Sequence, residues 1–77
     1  MTTKELLEGI HDQFLKRKRE ARTRSIYYED IAVDEEDEDI AELNDIEAFY
    51  WTTVESAALR AIEQLVALKE RIEGRGE

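Results

Sequence analysis

Over residues 51–72 the apolar positions of this chain alternate in steps of three and four: Trp51, Val54, Ala58, Ala61, Leu65, Leu68 and Ile72. That spacing draws a heptad seam along one side of an α-helix. Asn44, with Glu47 three residues later, fits a capping box at the start of this helix. Lys69 and Arg71 suit the negative pole at its end, and Gly74 offers a left-handed stop. No Gly or Pro interrupts it, so the pattern predicts one long helix over residues 44–73, roughly 43 Å from Asn44 to Ile72. Its seam is small in the middle, with Ala57, Ala58 and Ala61, which favours close approach of a neighbouring helix. A second apolar line, Leu59, Ile62 and Val66, lies about 100° further round, a wider face than one antiparallel neighbour covers.

Before this helix the same periodicity recurs more weakly. Thr2 and Glu5 form another capping-box pattern, and Leu7, Ile10, Phe14 and Ala21 share a face, predicting a first helix over about 3–23. Asp12 with Lys16 and Glu20 with Arg24 are favourable pairs one turn apart, while Gly9 costs about 1 kcal/mol relative to Ala. Residues 25–43 break the pattern. Ile26, Tyr27, Tyr28, Ile31 and Val33 have a strand-like composition with no second strand to pair with, so an acidic connector or short helix is expected here. An acidic run at 34–39 suits a helix N-terminus, so the long helix could also begin near Asp34 or Asp39 and approach 40 residues.

The expected fold is therefore all-α, one small domain over 1–77. It is a helical hairpin with a long C-terminal helix, completed either as a dimeric four-helix bundle of two hairpins or as a small three-helix bundle. Chain length supports the need for a partner. Seventy-seven residues bury only about 60% of their unfolded surface, and the absence of Cys removes disulfides and thiolate metal sites as supports. No run approaches the roughly 20 apolar residues that span a bilayer, and no signal layout opens the chain; a cytoplasmic protein, without membrane association, is expected.

Charge changes the picture from architecture to action. The net charge is −9, but it is divided into blocks. Residues 1–24 hold seven basic and four acidic groups, residues 25–59 hold twelve acidic groups and no basic one, and residues 60–77 hold four of each. Such a division serves either to fold one block onto another or to offer one block to a partner. The acidic surface comprises Glu29, Asp30, Asp34, Glu35, Glu36, Asp37, Glu38, Asp39, Glu42 and Asp45, flanked by the aromatics Tyr27, Tyr28, Phe49, Tyr50 and Trp51, of which Tyr27, Tyr28 and Phe49 are the expected anchors. Aromatic anchors inside a charged rim are the composition of a protein interface. As a calcium loop the run fails, for it lacks the Gly at the sixth position and the closing Glu. Phe49 falls opposite the seam on the helical wheel, where the middle segment is expected to cover it.

Lys16, Arg17, Lys18, Arg19, Arg22 and Arg24 form a basic patch that could bind phosphates. The acidic balance and the lack of interleaved aromatics count against direct nucleic-acid binding. Glu8 and His11 make a Glu-x-x-His step, and with Glu55 on a dimeric bundle they sketch a di-iron site, but His11 is the one histidine in the chain and no metal or cofactor is expected. No nucleophile elbow or phosphate loop is present, so no enzymatic activity is expected. The size and acidity resemble those of acyl carrier proteins, but their Asp-Ser-Leu attachment motif is missing: Ser25 follows Arg24 and Ser56 follows Glu55.

What remains is a non-enzymatic acidic helical protein acting on a protein partner, foremost the basic surface of a nucleic-acid-binding protein. In composition it looks like the short acidic inhibitors encoded by phages and mobile elements, including some anti-CRISPR and anti-restriction proteins. That resemblance implies a DNA-mimic mode of action in a host cytoplasm. The competing expectations are a structural homodimer or larger helical assembly built on the seam, and nucleic-acid binding through residues 16–24.

Overall fold

The computed structural model describes residues 2–75 and contains two helices, α1 (Thr3–Asp34) and α2 (Glu38–Gly74), folded back on one another as an antiparallel hairpin. The result is a rod of 59 × 18 × 12 Å. The chain is all-helical, as expected, but residues 25–43 form neither an independent connector nor a third helix. Residues 25–34 complete α1, and α2 begins at Glu38, leaving residues 35–37 as the turn. The β-branched and aromatic composition of 26–33 misled; tertiary contact with α2 overrides a weak local preference.

Both start signals are carried by side chains. Thr2 Oγ1 accepts from the Glu5 amide at 3.1 Å, as its capping pattern requires. Asp37, not Asn44, caps α2: its carboxylate accepts from the amides of Asp39 at 2.9 Å and Ile40 at 3.3 Å. Asn44 sits inside the helix and donates back to the Ile40 carbonyl at 2.9 Å. Glu38 and Asp39 then lie in the first turn, where the dipole favours negative charge. At the far end α2 runs through Gly74, and Arg75 caps it with φ −87°, so Gly74 does not supply a left-handed stop.

The contact between the helices is built from small residues. The buried positions are Leu7, Ala21, Ser25, Ala48 and Ala58. Around them the covered positions of α2 step by three and four from Ala41 through Asn44, Ala48, Trp51, Glu55, Ala58, Ile62, Leu65 and Lys69 to Ile72. All seven residues of the expected seam, Trp51, Val54, Ala58, Ala61, Leu65, Leu68 and Ile72, are buried or half-buried. Glu55, Ile62 and Lys69, one position further round the helix, are half-buried as well, so the covered face is wider than the seam. Two of these added positions are charged, so apolarity alone does not select them. On α1, Leu7 and Ala21 are buried and Ile10 and Phe14 half-buried, in agreement with the predicted face.

Where Ala21, Ser25 and Ala48 meet, the helices touch through backbone and hydroxyls. Thr52 Oγ1 donates to the Ala48 carbonyl at 2.9 Å, and its oxygen is then free to accept from Ser25 Oγ at 2.8 Å. Ser25 Oγ also lies 3.4 Å from that carbonyl. On either side of this point Arg24 stacks over the Trp51 ring at 4.8 Å, and Arg22 stands 3.8 Å from Glu55. These two contacts mark the opposite edges of the helix pair.

Candidate functional site

The turn gathers the acidic block at one end of the rod. Eleven carboxylates occupy residues 29–47 with no basic residue among them, and folding α1 back onto α2 brings those of 29–34 and 38–47 to the same end. All but Glu35 are exposed. Among the described residues, the ion pairs are Arg22 with Glu55 and Arg24 with Glu20, and neither involves this group. Local structure uses only two of the carboxylates, Asp37 at the α2 cap and Glu35, which accepts from the Asp37 amide at 3.2 Å.

The electrostatics at this end are one-sided. Negative charge at 37–39 complements the positive pole of α2, but Glu29, Asp30 and Asp34 lie at the negative pole of α1, whose last turn contains no basic residue. Charge at that pole is mutually repulsive with the dipole and with its neighbours. The hairpin therefore closes against an unfavourable field that a cation from outside would relieve.

Apolar groups accompany the acids. Phe49 is 74% exposed, so the middle segment does not cover it; that segment is itself helical and lies along α1 and the start of α2. Tyr27 is exposed and makes an edge-to-face contact with the half-buried Tyr28, ring centroids 5.2 Å apart. Tyr50 is exposed at this end too, as are Val33, Leu43 and Ile46, which the sequence reading did not single out as anchors. Their signal was present as apolar residues off the seam within an acidic segment.

The other sequence candidates are not brought together in the same way. Of the basic patch, Arg24 is held by Glu20 at 2.9 Å and by Trp51, Arg22 lies against Glu55, Arg17 stacks on Phe14 at 5.1 Å, and Lys18 is half-buried. The patch girdles the middle of α1 and does not form one face. Glu8 and His11 line an open depression of about 320 Å³ with Asp12, Lys69, Glu70 and Glu73 at the open end of the hairpin. Glu55 lies near the middle of the rod, against Arg22, and does not join them. Among the described residues no three metal-ligating side chains come together. None of the described helices is long and apolar enough to cross a membrane.

No family model, curated protein or solved structure matches this chain.

Proposed function

We propose that this protein is a non-catalytic inhibitor that offers the acidic end of its hairpin to the basic surface of a nucleic-acid-binding protein, in place of the phosphate backbone. The observation that carries this reading is the set of eleven unpaired carboxylates on both sides of a three-residue turn, set among exposed Tyr27, Phe49 and Tyr50. Negative charge on a pair of packed helices is held in place before binding, so little ordering entropy opposes association. Complementary charge accelerates the encounter, and the aromatic groups supply the short-range contact.

A capture experiment tests the reading. Wild-type protein and a variant with residues 34–39 neutralised to Asn and Gln are immobilised and exposed to cell extract at low and high salt. A nucleic-acid-binding protein retained by the wild type, released by added duplex DNA and ignored by the variant is the expected result. Equal retention by the neutralised variant, or retention insensitive to DNA, rejects it. The second reading, a helical assembly protein, is favoured by the apolar flank of the rod.

A further inference from the structure

We infer that two copies of this chain pack side by side, end for end, through the flank of the hairpin marked by Arg24 and Trp51, forming a four-helix bundle with an acidic end at each pole. This inference does not rest on the proposed inhibitor function; it takes Tyr27 and Tyr50 into the self-interface and leaves the carboxylates and Phe49 as the surface for a partner. It starts from surface area. The hairpin exposes 6155 Å², whereas a compact monomer of its 9.0 kDa exposes about 4,850 Å². The excess, about 1,300 Å², exceeds the roughly 800 Å² that each partner contributes to a standard stable interface.

The flank itself selects the occupant. On α2 it carries the edge Leu43, Glu47, Tyr50, Val54, Ala57, Ala61, Gln64 and Leu68, of which Val54, Ala61 and Leu68 are half-buried in the hairpin and the rest exposed. A two-fold axis perpendicular to the rod, in the plane of contact, sets α2 antiparallel to α2. With its centre between Val54 and Ala57, Leu43 meets Leu68, the large Tyr50 meets the small Ala61, and Glu47 meets the amide-bearing Gln64. Val54 meets Ala57, so no two bulky groups collide near the axis.

The same operation sets α1 against α1, and the same kind of match appears there. On the Arg24 edge, Leu6 meets Ile31 and Ile10 meets Tyr27, with Arg17 opposite Glu20 across the axis. The two centres stand at one height along the rod. Ser25 meets Ala48 and Thr52, and Leu7 shares a depression with Leu65 and Lys69, which places residues 17–20 of α1 beside 54–57 of α2. One symmetry axis therefore satisfies both helices.

Charge fixes the direction. Parallel packing would put two ends of eleven carboxylates each side by side, at a cost that like-charge juxtaposition makes prohibitive. Turned end for end, each acidic end lies beside the open end of the other copy, where Lys4, Lys69 and Arg71 stand among Glu5, Glu8, Asp12, Glu70 and Glu73, a mixed surface in place of a second wholly acidic one. The opposite flank also exposes apolar residues, Leu59 and Val66, but there Glu8 and Asp12 of α1 line up with Glu70 and Glu73 of α2, with Lys69 as the one cation among them.

Light scattering on the purified full chain reads the mass directly. Twice the 9.0 kDa of one chain is expected at low and high salt alike, with a thermal midpoint that rises with protein concentration. The chain has no Cys, so introduced thiols report orientation. Under mild oxidation, Leu43→Cys mixed with Leu68→Cys is expected to give the mixed disulfide in large excess over either self-linked product. Ala57→Arg, at a position exposed in the hairpin, is expected to halve the mass; if it also unfolds the chain, the concentration dependence and the disulfide pairing still decide. A mass of one chain at every concentration, with a constant midpoint, overturns the inference and leaves the flank to a different protein. Dominant self-linking of Leu43→Cys overturns the end-for-end arrangement.

Discussion

The hydroxyls of Ser25 and Thr52 stand 2.8 Å apart across the two helices, and they do so because the buried residues beside them, Ala21 and Ala48, are small enough to let the backbones approach. This pair sets the distance between α1 and α2. Thr52 retains the Ala48 carbonyl as a partner whether or not Ser25 is present. Ser25→Ala therefore removes one net hydrogen bond without orphaning its partner and is expected to cost about 1 kcal/mol or less. Ser25→Leu forces the helices apart and is expected to cost about 1–3 kcal/mol. Urea unfolding followed by helical circular dichroism distinguishes them; equal effects of the two changes would reject close packing as the role of this site.

Gly9 lies inside α1 with open space around the position of an added Cβ. Gly9→Ala thus gains helix propensity at no steric cost, and stability is expected to rise by about 1 kcal/mol. A lowered denaturation midpoint would mean that the residue has a role outside the hairpin.

Helix type and the hairpin were readable from the three-and-four spacing, and the N-terminal cap from Thr2 and Glu5. The long reach of α1 was not, because Ile26, Tyr27, Ile31 and Val33 look like strand residues until α2 is there to pack against. Asp37 was hidden as the second cap by its position in a run of six acids, any of which offers a carboxylate. The covered face proved wider than the apolar seam, because Glu55 and Lys69 are half-buried beside it. The acidic block was fully visible in the sequence, and only the turn at 35–37 reveals that its two halves share one end of the rod.

Glu55 carries the next prediction. Its Oε2 is buried without a hydrogen-bond partner, with the Arg22 guanidinium 3.8 Å away and mostly in solvent, and the Trp51 indole nitrogen one turn earlier is likewise buried and unpartnered. A carboxylate in a helix contact loses hydration that so distant a cation does not restore. Glu55→Leu, which continues the apolar seam between Trp51 and Ala58, is expected to raise stability by about 1 kcal/mol, read as a higher urea midpoint with unchanged slope. Destabilisation would show that Glu55 holds the register of the two helices through Arg22.

The acidic end should oppose the folding of the protein that carries it. Glu29, Asp30 and Asp34 sit at the negative pole of α1 and repel the carboxylates of the turn, so screening them should stabilise the hairpin. The thermal midpoint is expected to rise with added sodium chloride, the reverse of the trend for a fold held by ion pairs. Asp34→Lys replaces a repulsive group by one that favours the dipole and is expected to add about 0.3–1 kcal/mol of stability and to flatten the salt dependence. If the acidic end is the partner-binding surface, the same change should weaken capture of a basic partner, since residues kept at a cost to stability are then kept for binding. A variant that is more stable and binds equally well would separate the two and move the interface away from the turn.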